Sequence, residues 1–218
     1  VCAAYLAQAG KKVIVLEKRA ILGGCCSTEK IFKKCNVSRA AYVLSLFPPT
    51  IMHDLQLSKY PLEIIPRNPA SISLFPNNTQ LILGHDIDQN KYAISQFSAH
   101  DATAYGHYTH FLNSAISFVH ELFLQTPPNL YPKSLKDVIK LSQLAIHSIT
   151  SPQQAFDFLK LLTNDAAALL NRWFDSDELK GTLATDAIIG AMASPKSAGT
   201  GYVLLHHLMG QVTEQQGV

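Results

Sequence analysis

A short run of apolar residues lies near the start of the chain and is followed by charged residues and glycines. Residues 13–16 are Val, Ile, Val and Leu, and the run ends at the acidic residue Glu17. Continuous runs of this kind are typical of strands buried on both faces of a parallel sheet. Residues 1–10 are rich in alanine at helical spacing and end at Gly10, a residue that stops helices. The pattern therefore predicts a helix, a buried strand and an acid where the strand ends.

The next part of the chain changes to alternating apolar and polar positions. Residues 71–75 and 79–83 alternate, and Pro76, Asn77 and Asn78 lie between them. Because Pro and Asn favour tight turns, this stretch predicts a β-hairpin. Three earlier segments also have predicted structures. Residues 20–38 are predicted as an extended loop, residues 43–57 as a short helix broken by Pro48 and Pro49, and residues 62–65 as a strand.

From residue 86 onward the apolar positions follow a helical period. Serines mark the N-termini of several predicted helices. Ser98 is followed three residues later by Asp101, as in a capping box, and Ser151 directly precedes a proline. The predicted helices are 88–97, 98–125, 134–147, 151–173, 176–189 and 202–209, with a loop at 190–201. We find no internal repeat and no low-complexity segment.

Composition and charge narrow the classes of function. Of the 218 residues, 47% are apolar and 16% charged, which allows a sizeable core and argues against disorder. The net charge is +2 without a basic cluster, which argues against a nucleic-acid partner. No apolar run reaches the length of a membrane span, so no transmembrane segment is predicted.

The cysteines and histidines do not form a recognisable site. The four cysteines, Cys2, Cys25, Cys26 and Cys35, include no C-x-x-C pair, and free thiols are favoured over a strained disulfide between the adjacent Cys25 and Cys26. His107 and His110 share a predicted helix face, and His206 and His207 are adjacent. No acid at a suitable spacing completes a ligand set, so no metal site is predicted.

The residues after the first apolar run suggest a nucleotide site. An acid at the end of a parallel strand can accept hydrogen bonds from the two hydroxyls of an adenosine ribose. We predict this role for Glu17; the alternative, an ordinary acid at a strand end, is less favoured. A carboxylate there would repel a 2′-phosphate. Gly23 and Gly24 would let the backbone approach a pyrophosphate, although a plain turn is the alternative. Arg19 is expected along the adenosine and Lys18 to be mainly solvated.

The order and spacing of several blocks resemble a known group of flavoproteins. Residues 13–28, VIVLEKRAILGGCCST, resemble the FAD-binding end of the amine oxidase and phytoene desaturase flavoproteins. Later blocks resemble the pyridine nucleotide-disulfide oxidoreductase domain-containing proteins, which are related to phytoene desaturase and retinol saturase. These blocks are SRAAYVLSL (38–46), LEIIPRNP (62–69), LGHD (83–86), FSAHDATAY (97–105) and GTGYVLLHH (199–207). The cysteines do not support disulfide chemistry.

The resemblance implies FAD as the cofactor and further site residues. Cys25 stands where many relatives carry an arginine, which removes a positive charge near the phosphates. Thr28 is expected as a supporting hydroxyl. The segment from Ser38 would pass near the isoalloxazine, where Arg39 either stabilises reduced flavin or is a surface arginine, and Tyr42 either stacks or packs. No residue is predicted to be catalytic.

Together these patterns predict an α/β protein, cut at both ends relative to the family. Residues 1–58 would be a partial Rossmann-like FAD-binding domain whose first strand and glycine turn precede Val1, so that this chain would not retain FAD. Residues 59–218 would be an incomplete, mostly helical α+β substrate domain. The expected activity is hydride transfer between FAD and an organic, apolar small molecule.

Two alternatives remain open from the sequence. One is a non-catalytic flavin-fold scaffold that acts through protein partners in mitochondria, a location that rests on the resemblance alone. The other is an NAD-binding module, which the glycine pair after Glu17 disfavours.

Overall fold

The chain divides into two units of tertiary contacts. The computed structural model describes residues 1–38, 40, 41, 43, 44, 46–123, 126, 129, 131–205 and 208, without the side chains of 118, 120–123, 144 and 147–149. Among the described residues, the first unit comprises those of the range 1–66 and the second those of the range 67–208. The assignment of residues 1–58 and 59–218 to cofactor and substrate sides stays a prediction.

The first unit combines short helices with one hairpin. Helix α1 spans Cys2–Gln8, strands β1 and β2 span Thr28–Phe32 and Cys35–Ser38, and helix α2 spans Pro49–Asp54. Single turns of 3₁₀ helix lie at Gly24–Cys26 and Leu57–Lys59. The hydroxyl of Tyr5 in α1 donates to Asp54 Oδ2 in α2 at 2.8 Å, which ties the two helices together.

The predicted buried strand at residues 13–16 is wrong for this structure. The segment has no regular secondary structure and is not paired with any strand in the described part of the chain. Ile14, Val15 and Leu16 are 85%, 71% and 91% exposed. A strand is stabilised by hydrogen bonds to a neighbouring strand and by burial of its faces. Residues 13–16 have neither, so the apolar run forms no strand and stays largely exposed.

Three further predictions in the first unit are also wrong. Residues 20–38 are not one extended loop, because they contain the 3₁₀ turn and the antiparallel hairpin in which Thr28 pairs with Ser38. The proline pair does not break a helix but begins one: Pro48 is the N-cap of α2 and Pro49 its first residue. Proline suits this position because the first helical N–H has no partner within the helix. Residues 62–65, predicted as a strand, have no regular secondary structure.

The second unit begins with the predicted hairpin, which is confirmed. Strands β3 and β4 span Ser71–Leu74 and Gln80–Leu83, with Ser71 opposite Leu83 and Leu74 opposite Gln80. The turn between them includes Asn78, whose φ of 59° is one that asparagine tolerates better than most residues. Leu81 and Leu83 are buried on one face of the hairpin.

Helices make up most of the rest of the second unit. They are α3 Ile87–Ser95, α4 Ala99–Phe123, α5 Leu135–Thr150, α6 Pro152–Thr163, α7 Ala166–Trp173, α8 Asp177–Ala184 and α9 Thr200–Val203. The predicted helices are confirmed in kind and order, except that the one predicted over 151–173 is two helices, α6 and α7, and several helix ends differ. The one predicted to reach residue 189 ends at Ala184 and is followed by a 3₁₀ turn at Asp186–Ile188, and α9 begins at Thr200 rather than 202.

The hydrophobic core of the second unit forms around α4. Tyr105, Tyr108 and Leu112 lie on its buried face, and the ring of Tyr108 packs edge-on against Phe174 at 5.1 Å between centroids. The other elements of this unit contribute the remaining buried apolar residues of the cluster: Leu81, Leu83, Ile94, Leu161, Ala166, Leu169, Leu170, Leu179, Ala187, Leu204 and Leu205. The helical period in the sequence therefore marks the core correctly for α4.

Among the described residues, no helix combines the length and the apolar character needed to cross a bilayer.

Candidate functional site

Glu17 and Arg19 form a tight turn after the exposed apolar segment. Glu17 Oε1 accepts a hydrogen bond from the backbone N–H of Arg19 at 2.9 Å. This bond joins residues two apart, as a carboxylate does when it closes a turn of its own backbone. Glu17, Lys18 and Arg19 are all exposed. The carboxylate of Glu17 is therefore held at a defined place and is accessible to a ligand.

The guanidinium of Arg19 connects this turn to the hairpin. Its Nη1 donates to Ser27 Oγ at 3.3 Å, and its Nη2 forms an ion pair with Glu29 on β1. Ser27 is buried, whereas the guanidinium is about half exposed. The guanidinium of Arg19 is thus anchored on the hairpin, while its backbone N–H holds the carboxylate of Glu17.

Gly23 and Gly24 both adopt backbone conformations that favour glycine. Gly23 has φ 115° and Gly24 has φ 56°, so a side chain at either position would be strained. A Cβ at Gly23 would also approach the backbone N and Cα of Ser27 at 3.3 Å. A Cβ at Gly24 would meet no atom within 4 Å, so the space beside it is open. The pair therefore forms a turn with free space on one side.

The other predicted site residues lie near this turn in the chain. Cys25 is exposed in the 3₁₀ turn, and Thr28 is exposed at the start of β1. Ser38 ends β2, opposite Thr28, and its Oγ accepts the N–H of Ala41 at 3.2 Å. Arg39 and Tyr42 lie outside the described residues. The predicted roles of all these residues toward a cofactor stay predictions.

Two residues that the sequence analysis missed hold the candidate site together. Ser27 contacts Arg19 through a hydrogen bond and limits the space at Gly23, and Glu29 pairs with Arg19. No hairpin was predicted at residues 28–38, so the sequence did not indicate that Glu29 on its first strand would contact Arg19. The opposite charges of Arg19 and Glu29, on either side of the glycine pair, were the signal that could have indicated the contact.

A second cluster of titratable groups lies in the second unit. His100 Nδ1 is 3.3 Å from Asp101 Oδ1 and 3.2 Å from Asp175 Oδ2. One ligand atom from each residue lies within 4.8 Å of the others, a spacing that a metal ion could bridge. The geometry of Asp101 therefore decides between a metal site and a structural role.

Asp101 serves as a helix cap. Its Oδ1 accepts the N–H of Asp175 at 2.8 Å, and its Oδ2 accepts the N–H and the hydroxyl of Ser176 at 2.9 and 2.5 Å. With His100 beside Oδ1, these contacts use the four acceptor positions that a carboxylate has. The predicted capping box at the start of α4 is therefore only half right. Ser98 accepts the N–H of Asp101, but the carboxylate of Asp101 caps α8.

The capping contacts also set the protonation of Asp101. Burial alone would raise the pKa of this carboxyl, but the hydrogen bonds from the Ser176 hydroxyl and from the N–H groups of Asp175 and Ser176 outweigh it. The pKa is lowered from 3.8 to about 2. Asp101 is accordingly ionised at neutral pH. Its negative charge interacts favourably with the positive N-terminal end of the α8 dipole.

Comparison with known proteins agrees with a nucleotide-binding first unit. Residues 1–56 match the family model described as an NAD(P)-binding Rossmann-like domain. This range includes the Glu17 turn and the glycine pair. No solved structure matches the chain.

Relatives resemble the chain along its whole length. The rat protein named pyridine nucleotide-disulfide oxidoreductase domain-containing protein 2 is 38% identical over 100% of this chain, and the mouse protein of the same name is 37% identical. An uncharacterized protein of Mycobacterium bovis is 26% identical over 96% of the chain. The chain spans 40% of the length of the rat and mouse relatives. Over its full length the chain is therefore similar to part of the pyridine nucleotide-disulfide oxidoreductase domain-containing protein 2 of rat and mouse.

Proposed function

We propose that the chain is part of an FAD-dependent oxidoreductase, in which the first unit binds the adenosine end of the cofactor. The observation that carries the proposal is the carboxylate of Glu17, accessible and held by the N–H of Arg19 directly before a glycine turn. The match of residues 1–56 to a Rossmann-like domain supports a dinucleotide ligand. The names of the full-length relatives support redox chemistry.

The residues of this turn suit the groups that FAD would present. The exposed carboxylate of Glu17 would accept hydrogen bonds from the two ribose hydroxyls, as an acid at this position does in dinucleotide sites. The left-handed backbone at Gly23 and Gly24 leaves room for a phosphate to approach N–H groups. Arg19 would extend along the adenosine while Ser27 and Glu29 keep it in place.

The bound flavin would exchange a hydride with an organic substrate at its N5 atom, so the protein mainly binds and orients. The substrate is proposed to be apolar and the location mitochondrial, as the family resemblance implies. A nicotinamide dinucleotide is the alternative ligand, because the Rossmann-like match is compatible with either. A scaffold that binds protein partners is the alternative without chemistry.

The test is the cofactor content of the polypeptide purified at the length found in its native source. We expect a flavin absorption spectrum, and FAD as the molecule released on denaturation. Replacement Glu17→Ala removes two charge-assisted hydrogen bonds, each worth about 1.5–3 kcal/mol, and so should weaken FAD binding by about 100-fold or more. Binding to the cofactor-free protein is measured by quenching of flavin fluorescence.

Glu63→Ala is the matched control, because Glu63 is an exposed acid in an unpaired segment of the same unit. It should bind FAD as the wild type does. A Glu17→Ala variant with unchanged affinity would disprove the ribose role. Release of NAD instead of FAD would favour the nicotinamide alternative. A colourless protein that takes up neither cofactor would favour the scaffold.

A further inference from the structure

Helix α5, Leu135–Thr150, exposes an apolar surface to solvent. Among its described side chains, only Asp137 and Leu141 are half-buried, and the rest are exposed. Leu135 is 75% exposed and Ile146 60%. Aliphatic side chains contribute to stability by leaving water, so a helix that keeps them exposed gains little from its own fold.

The exposed apolar residues of α5 fall on one side of the helix. Leu135, Val138, Ile139 and Ile146 are spaced by three, four and seven residues, which places them in one stripe. All four are exposed. We call this set the α5 stripe.

The side of α5 away from the stripe is positively charged. Lys136 and Lys140 are exposed and four residues apart, and Lys133 is exposed directly before the helix. The one acid of the helix, Asp137, is engaged locally, because its Oδ2 accepts the N–H groups of Lys133 and Ser134 at 3.1 Å. The segment therefore presents a surplus of positive charge beside an aliphatic stripe.

This composition matches a lipid surface better than a protein interface. Interfaces between proteins are enriched in aromatic residues and arginine and depleted in lysine. Helix α5 contains no Phe, Tyr, Trp or Arg, and its basic residues are lysines. Helices that lie in the plane of a bilayer carry aliphatic residues on one face and lysines on the other, where the lysines meet anionic headgroups.

The neighbouring helix adds apolar surface of the same kind. Phe156, Leu159 and Leu162 of α6 are exposed on the side opposite the buried Leu161. The Lys160 ammonium lies 4.4 Å from the centre of the Phe156 ring. We propose that α5, supported by this part of α6, docks on an anionic lipid bilayer and lies on its surface.

The experiment is co-sedimentation of the full chain with lipid vesicles. One set contains phosphatidylcholine alone, and the other contains equal parts of phosphatidylcholine and phosphatidylglycerol. We expect binding to the anionic vesicles that weakens as salt is added, because screening reduces the attraction of the lysines. A lysine near an anionic surface contributes about fivefold in affinity, so Lys136→Gln with Lys140→Gln should lower it about 25-fold.

The double change Leu135→Ser with Ile146→Ser tests the apolar part and should abolish binding. Ile72→Ser with Leu74→Ser is the matched control: both residues are exposed on β3, and this variant should bind as the wild type does. Since all of these side chains are exposed, circular dichroism should show unchanged helix content in each variant.

Failure of the wild type to sediment with anionic vesicles would overturn the proposal and leave a protein surface as the cover of α5. Equal binding to both vesicle types, or equal loss in the hairpin control, would also overturn it. None of these outcomes depends on whether a dinucleotide binds at Glu17, so this inference stands apart from the proposed function.

Discussion

Asp101 stabilises the second unit through contacts between distant parts of the chain. It lies in the first turn of α4, and its carboxylate accepts hydrogen bonds from residues 74 and 75 positions further along. A buried carboxylate without partners would be costly, and here every acceptor position is used. The side chain therefore links the start of α4 to the start of α8.

The pH dependence of unfolding should report this cap. The pKa of Asp101 is about 2 in the folded chain against 3.8 for the free group, so its ionised form stabilises the fold above about pH 4. That contribution is lost as the pH falls through about 2, because the carboxyl is then protonated in both states. A shift of this size corresponds to about 2 kcal/mol. We expect Asp101→Asn to lower the free energy of unfolding by at least this amount at neutral pH.

Urea unfolding followed by circular dichroism measures the effect. The difference between wild type and Asp101→Asn should shrink as the pH is lowered from about 5 to 2. Asp177→Asn is the control. Asp177 is an exposed acid at the start of α8, and its carboxylate forms an ion pair with Lys180 at 3.0 Å. Its smaller effect should disappear in high salt. A pH-independent difference for Asp101→Asn would contradict the assigned protonation.

At the scale of elements, α9 packs closely on the end of α6 because its second residue is glycine, Gly201. The N–H of Gly201 donates to Asn164 O at 3.2 Å, and so does the N–H of Gly199. A Cβ at Gly201 would lie 2.8 Å from Leu161 O and 2.9 Å from Asn164 O. Both are backbone atoms, which cannot move away as a side chain can.

Gly201→Ala should therefore destabilise the second unit by about 1–3 kcal/mol, the usual cost of overpacking. The matched control is Gly181→Ala in α8, where a Cβ would meet nothing within 4 Å. Because alanine favours helix over glycine, this variant should gain about 0.5–1 kcal/mol. Thermal unfolding distinguishes the two, since the midpoint should fall for one and rise for the other. A neutral Gly201→Ala would show that α9 can move away from α6.

Elements governed by local signals could be predicted, and those that need a distant partner could not. The β3–β4 hairpin follows from its own turn residues, and α4 and α5 follow from Ser98 and Ser134, whose hydroxyls accept N–H groups of the first turn. Residues 13–16 have the composition of a strand, but pairing depends on a neighbour that the composition does not reveal. The cap of α8 was missed for the same reason, because Asp101 is far from Ser176 in the sequence.

The candidate site was predictable to a similar degree. Glu17 and the glycine pair were recognised because a carboxylate and two glycines at this spacing follow from local rules, and the positive φ angles at Gly23 and Gly24 agree with them. Ser27 and Glu29 were not, since their contacts with Arg19 depend on a hairpin that the sequence did not indicate. Backbone requirements were therefore visible in the sequence, whereas the side chains that hold Arg19 were not.

At the scale of the whole molecule, the two units differ in how much apolar surface they bury. The hydrophobic core lies entirely in the second unit, from Leu81 to Leu205. Among the described residues of the stretch 1–66, Ser27 is the one buried side chain. Burial of apolar surface is the main favourable contribution to folding, and a stretch of about 60 residues is marginal even with a core.

Residues 67–209 expressed alone should therefore unfold in one cooperative transition, whereas residues 1–66 alone should not. The measurement is thermal unfolding of each piece, followed by circular dichroism and calorimetry, because cooperative loss of helix requires a shared core. Gly201→Ala within residues 67–209 is the internal check, since it should lower the midpoint if the transition reports this core. A cooperative transition in residues 1–66 would mean that this stretch forms a core of its own, contrary to the exposure of its apolar run at 13–16. A non-cooperative 67–209 would instead mean that its helices need further chain to pack.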